Sequence, residues 1–137
     1  MKAIIHWDHK KGMDAKNLRF LYQYWDYTCR GFGMEPSDFV FVDLDGTLPI
    51  LSPPNMIFSE LSEALNMFKE SSPVYIHATG KYTLPEFDHP LNAVYVVGPN
   101  YEGFTFPDTD MSVSIPAWDD LWGHVALGIV LYDRTLK

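Results

Sequence analysis

Among its 137 residues the chain has a single cysteine, Cys29. One thiol can close no internal disulfide and build no cysteine-rich zinc site. It stands in an aromatic stretch with helical spacing, where the expected role is that of a small buried hydrophobe. No apolar run approaches the roughly 18 residues that a membrane-spanning helix needs. The opening Met1-Lys2-Ala3-Ile4-Ile5-His6-Trp7-Asp8 returns to charge before the apolar stretch of a signal peptide could form, so a cytosolic setting is expected. Positive charge is scarce too, with 10 Lys and Arg against 18 Asp and Glu and a net charge of −8. That excludes a generic polyphosphate-binding surface, which works by neutralising phosphates with clustered cations. Internal repeats and low-complexity tracts are also missing.

What the chain does have is the means to bury a core. Hydrophobic residues make up 47% and charged residues 20%, a globular balance, and one domain spanning 1–137 accounts for the length. Lys2–Trp7 and Phe39–Val42 are short β-prone runs, followed by Val74–Ile76, Ala93–Val97 and Met111–Ile115. Between them, Leu18, Leu21, Tyr22, Trp25 and Cys29 fall on one face of a helix from Asp14 to about Arg30. Asp14 is its expected N-cap, and Gly31 and Gly33 its stop. Ser59 is the expected cap of a second helix that buries Leu61, Leu65 and Phe68. A third runs from about Asp119 to Arg134, apolar almost all round between Val125 and Tyr132 and therefore expected to be buried on most sides. Alternating strands and helices predict an α/β fold, a mostly parallel sheet of five or six strands flanked by helices.

Phe39 to Leu48 reads Phe-Val-Phe-Val-Asp-Leu-Asp-Gly-Thr-Leu. A strand ending in Asp-x-Asp-Gly-Thr resembles the first motif of the haloacid dehalogenase-like phosphatases. There Asp43 would attack phosphorus, Asp45 would act as general acid/base, and the pair could hold Mg²⁺. Later positions fit poorly. Lys81 follows Thr79 by two residues, and the next strand ends Val97-Gly98-Pro99-Asn100, where a metal-binding Asp is expected. An Asp-Gly turn explains the string without catalysis.

The stretch Glu63 to Arg134 resembles a different family. Phe87-Asp88-His89-Pro90-Leu91-Asn92-Ala93-Val94-Tyr95-Val96-Val97-Gly98-Pro99 looks like a strand running into a Gly-rich cofactor loop. Ser112-Val113-Ser114-Ile115-Pro116 is followed by a helix ending Ala126-Leu127-Gly128-Ile129-Val130-Leu131-Tyr132-Asp133-Arg134. This ordered pair resembles the SPOUT superfamily, in particular the SpoU-type RNA methyltransferases. Val74 to Gly80 matches more weakly.

The resemblance implies a C-terminal trefoil knot, a homodimer packed through it, and S-adenosylmethionine held between three loops. Carried over by position, Ala78, Thr79, Val97, Gly98, Gly103, Ile115, Leu121 and Gly123 would bind the cofactor. Asn17, Arg19 and His124 are the candidates for catalysis on RNA. Departures are specific. Asn100 stands where the family usually has Glu, and Asp120-Leu121-Trp122 where it has Ser-Leu-Asn. Gln23 stands six residues after Asn17, where the family has an Arg. A catalytically altered cofactor-binding module is therefore an alternative to an active enzyme.

His6 and His9 lie three apart near a strand end, and His77 and His89 are scattered, so a metal site lacks a ligand pattern. Trp118 and Trp122 flank Asp119-Asp120 and could stack on a base or an adenine, or serve as core or dimer contacts. Lys2, Lys10, Lys11, Lys16, Arg19 and Arg30 gather six of the ten basic residues in the first 30, the one candidate phosphate-facing patch.

Overall fold

A computed structural model of the chain describes residues 1–7, 12–99, 111–117 and 121–137. Strands β1 (Lys2–His6), β2 (Phe39–Val42), β3 (Ile57–Phe58), β4 (Ser72–Ile76), β5 (Tyr82–Thr83), β6 (Ala93–Val97) and β7 (Ser112–Ser114) form one sheet. Its order is β3-β2-β1-β6-β4-β7-β5, and every pairing is parallel. Helices α1 (Ala15–Gly31), α2 (Leu48–Leu51), α3 (Leu61–Met67) and α4 (Gly123–Leu136) connect or flank the strands. The sheet thus has seven strands where sequence pattern predicts five or six. The extra β3 and β5 are two residues long, too short for alternation to register.

Alternation along each strand divides two cores. Ala3, Ile5, Phe39, Phe41, Tyr95 and Val97 meet α1 and α4 on one face. Ile4, Val40, Val42, Val94 and Val96 meet Ala64 and Phe68 of the α3 region on the other. The central strands β2 and β6 are buried at every residue, as a parallel sheet covered on both faces requires.

Helix α1 forms as its pattern dictates. The Asp14 carboxylate accepts from the Asn17 amide at 2.8 Å, and Leu18, Trp25 and Cys29 are its buried residues. At its end, Gly33 at φ +86° lets the Met34 amide return to the Cys29 carbonyl at 3.1 Å. Helix α3 starts differently from expectation. Glu60 occupies the cap position but its side chain makes no capping bond, while the Ser59 hydroxyl donates to Glu63 at 3.1 Å. Helix α4 begins at Gly123 rather than near Asp119; residues 118–120 lie outside the described ones. It is not buried on most sides either. Leu127, Val130 and Leu131 are buried, but Val125, Ile129 and Tyr132 are exposed and leave an apolar strip open along the helix.

Candidate functional site at the carboxyl edge of the sheet

In a fully parallel sheet all strands end at one edge, and open α/β sheets place their ligands there. Register sets Val97 of β6, Ile76 of β4 and Val113 of β7 abreast. The residues that follow each of these, Gly98, His77 and Ser114, therefore stand on adjacent strand ends. Val97, Gly98, Ala78, Thr79 and Ile115 are thus gathered into neighbouring loops. Gly98, itself buried, takes φ +78°, a conformation that suits a residue without Cβ.

The β4 loop is pressed onto β7. The His77 amide donates to the Val113 carbonyl at 3.0 Å, and the Lys81 amide to the Ser112 hydroxyl at 2.8 Å. Gly80 sits so close that a Cβ there would lie 2.4 Å from the Val113 carbonyl carbon. Within the loop, His77 Nδ1 accepts from the Thr79 amide at 3.2 Å and lies 2.8 Å from its hydroxyl. Burial lowers the His77 pKa, which favours the neutral ring that these contacts need.

The start of α4 closes on the same edge. A Cβ on Gly123 would meet Val97 Cγ1 at 3.4 Å and the Trp25 ring at 2.8 Å, so the glycine lets α4 approach both β6 and α1. Next to it, the His124 ring lies 5.1 Å from Tyr24 with planes 23° apart. It also meets Trp25 and Trp122 edge-on at 5.9 and 5.8 Å. Burial lowers its pKa as well, which favours the neutral ring. Asn17 and Arg19 are exposed on the first two turns of α1, on the helix that carries Tyr24 and Trp25 to this edge. Gly103, Asn100 and Asp120 lie outside the described residues.

The Asp-x-Asp-Gly-Thr string is a turn. One oxygen of buried Asp43 accepts from the amides of Asp45 and Gly46 at 3.1 and 3.0 Å, and the other from Leu48 at 2.9 Å. A carboxylate occupied this way is a turn anchor, not an exposed nucleophile, and the phosphatase alternative is set aside on that geometry. Cys29 is fully buried and its pKa is pushed up to about 12, chiefly by burial, so the thiol is inert.

Sequence pattern missed Tyr24. It lies off the buried stripe of α1, and nothing in its spacing announces the stack on His124. It also missed a buried polar chain on the flank of α4. There His89 Nε2 lies 2.7 Å from Asp133 and Nδ1 2.8 Å from the Tyr95 hydroxyl.

No family model matches the chain, and no curated protein matches it either. Solved structures do. A Bacillus anthracis protein described as an RNA methyltransferase superposes with a TM-score of 0.70 at 14% identity, over 98% of this chain and 92% of that one. The fold is that of the SpoU-type RNA methyltransferases. A second structure, solved in work on the 2-OH methylation of C/U34 on tRNA, gives 0.63 at 14% identity over 98% of this chain and 93% of that one. The SpoU methyltransferase AviRb from Streptomyces viridochromogenes, in complex with AdoMet, gives 0.67 at 14% identity. That match covers 99% of this chain and 57% of AviRb.

Proposed function

We propose that the chain is an S-adenosylmethionine-dependent methyltransferase acting on RNA in the cytoplasm, as a homodimer. The observation that carries this reading is the set of three adjacent strand ends, leading into Gly98, Ala78–Thr79 and Ile115, with Gly123 of α4 set against Val97. It occurs in a chain with the fold of RNA methyltransferases, one of them solved with AdoMet.

The residues present fit such a cofactor. Gly98, buried at φ +78°, turns the chain away from β6 without a Cβ, and half-buried Ile115 and Leu121 offer apolar contact. Gly103 would complete the β6 loop, and the knot implied by the resemblance would lie around α4. The bound cofactor supplies an electrophilic methyl group. The chain's own part is to place an acceptor oxygen or nitrogen beside it and to take up the released proton. His124 is suited to the second task, because its neutral imidazole can accept a proton at pH 7. Asn17 and Arg19 would orient the RNA from α1.

The uncovered strip on α4 supports the dimer. Tyr27, Phe32, Val125, Gly128, Ile129 and Tyr132 border an open groove of about 450 Å³ between α1 and α4. A second copy is the occupant that the SpoU-type fold suggests. A module that binds the cofactor without transferring its methyl is the second reading, favoured by Gln23 and Trp122 at positions where the family has Arg and Asn.

Calorimetric titration with S-adenosylmethionine or its demethylated product tests the binding shared by both readings. Absence of heat at millimolar ligand overturns both. Label transferred from methyl-labelled cofactor to bulk RNA separates the enzyme from the module.

A further inference from the structure

We propose that His77 is a positioning residue for the cofactor: its neutral ring holds the Ala78–Thr79 turn in the shape that receives S-adenosylmethionine, and protonation of the ring releases that turn. This rests on the methyltransferase reading and adds to it a residue outside those carried over by position, together with a dependence of cofactor affinity on pH.

The turn is built around one side chain. Its crest, Ala78 and Thr79, is exposed at the carboxyl edge, while the backbone on either side is fixed. The His77 amide donates to the Val113 carbonyl at 3.0 Å, the Gly80 amide returns to the His77 carbonyl at 3.0 Å, and the Lys81 amide donates to the Ser112 hydroxyl at 2.8 Å. Between these anchors the Thr79 amide points at His77 Nδ1, 3.2 Å away. The first position of such a turn commonly holds Asp or Asn, whose side-chain oxygen accepts from the amide two residues on. Here an imidazole nitrogen takes that part.

Unlike an amide oxygen, this nitrogen stops accepting when it is protonated. A backbone amide only donates, so Nδ1 is bare and the neutral ring carries its proton on Nε2. Once protonated, Nδ1 is a second donor facing the Thr79 amide. The Thr79 hydroxyl, 2.8 Å away, can turn to accept from it, but the amide cannot, and the crest must move. His6, at the end of β1 on the other side of β6, behaves in the opposite way. Its Nδ1 lies 3.1 Å from the Val97 carbonyl, which only accepts, so Nδ1 already donates and protonation leaves that bond in place.

The surroundings set when the turn is released. Among the described residues, β7 brings Ser112, Val113 and Ser114 to the turn and β6 brings Val97 and Gly98, none of them titratable. The titratable neighbours are Tyr75 on β4, Lys81 and Tyr82 beyond the turn, His6 across β6, and His124 at the start of α4; the Lys81 ammonium lies 5.8 Å from the Tyr82 ring. Burial lowers the His77 pKa from 6.5, so the turn is held at neutral pH. Because the neutral ring favours the shape that binds, affinity is full above the ring's pKa. It falls as pH drops through that value, by at most about tenfold per pH unit for one proton.

The test is calorimetric titration of the unaltered protein and of His77→Asn with the demethylated product of the cofactor, downward from pH 7.5. Nitrogen-15 NMR of the ligand-free protein follows the histidine rings and the Thr79 amide over the same range. The ring of His77 should carry its proton on Nε2 at pH 7.5, and the Thr79 amide should titrate with the midpoint of that ring. One pH unit below this midpoint, the unaltered protein should bind about fivefold or more weakly than at pH 7.5. His77→Asn, whose side-chain oxygen accepts from Thr79 at any pH, should bind like the unaltered protein at pH 7.5 and keep that affinity in acid. His77→Ala should bind roughly fivefold more weakly at pH 7.5, as loss of one hydrogen bond predicts, with no further fall. His124 and the ligand's own amino group titrate in all three proteins, so a fall of the same size in His77→Asn belongs to them and overturns the proposal. A Thr79 amide indifferent to the ring, or a ring that does not titrate while the protein stays folded, also overturns it. If neither protein gives heat at any pH while Thr79 still titrates with His77, the cofactor reading fails and the positioning role falls with it.

Discussion

Asp43 shows how a single carboxylate decides between two chemistries. Three backbone amides point at its oxygens, so replacing it by alanine leaves the buried Leu48 amide and the partly buried amides of Asp45 and Gly46 without their acceptor. One unsatisfied buried donor costs on the order of 1–3 kcal/mol. Asp43→Ala should therefore lower the urea unfolding free energy by about 2 kcal/mol or more, read from the midpoint at constant slope. A catalytic aspartate would behave in the opposite way, since its removal leaves the fold intact; an unchanged midpoint contradicts the turn role. Asp133 makes a second case. Burial raises its pKa, but hydrogen bonds from His89 and Lys137 outweigh that, and the net shift is downward from 3.8. The carboxylate facing Nε2 can only accept, so that nitrogen carries the proton, and in the neutral ring Nδ1 accepts from the Tyr95 hydroxyl. A depressed carboxylate contributes stability above its unfolded pKa and loses it as pH falls through the folded value. Asp133→Asn should thus be less stable than the unaltered protein at pH 6, and the gap should narrow below about pH 3.8. A gap independent of pH in thermal melts from pH 6 to 2.5 would remove Asp133 from this role.

At the scale of elements, glycines report where segments meet. Gly80 faces backbone that cannot yield, with a Cβ set 2.4 Å from the Val113 carbonyl carbon. Gly128 faces only Thr28 Cγ2 at an ordinary 3.5 Å. Gly80→Ala should cost about 1–3 kcal/mol or force the β4 loop off β7, as overpacking does. Gly128→Ala should be neutral to the monomer fold, or stabilise it by up to about 1 kcal/mol through helix propensity. Chemical denaturation of both variants decides, and a Gly80→Ala protein as stable as the unaltered one would mean that the loop does not press on β7 as described. The same elements show what sequence makes legible. The α1 stripe, its Asp14 cap and the buried runs Phe39–Val42 and Ala93–Val97 are local patterns, and each forms where periodicity places it. The two-residue β3 and β5 are defined by their neighbours, not by their own residues. Candidate site residues were legible only as strand-end and glycine positions. The Tyr24–His124 stack joins residues a hundred positions apart through α1–α4 packing, which one-dimensional spacing does not encode. The open side of α4 escaped for the same reason: an all-apolar helix reads as buried, whether the cover is its own sheet or another molecule.

For the whole molecule, that open side is the main unresolved apolar area among the described residues on α4. Val125, Ile129 and Tyr132 are 42%, 37% and 58% exposed on a helix whose opposite face is sealed against the sheet. Full burial of an exposed apolar side chain contributes about 1.5–3 kcal/mol, so covering what these half-buried ones still expose contributes roughly half of that each. A two-fold contact buries every such residue twice, so a second copy gains most from this strip. Ile129→Arg places a charge at its centre without touching Leu127, Val130 or Leu131, which hold α4 to the core. On the dimer reading proposed above, the variant should fold with a near-native circular dichroism spectrum yet sediment as a lighter species than the unaltered chain at the same concentration. Gly128→Ala, mild for the isolated fold, should also weaken the dimer if the helices cross closely at that glycine. A chain that sediments as a monomer at high micromolar concentration before any substitution would mean that the strip is not a self-interface. The proposed cofactor site would then have to be complete within one copy.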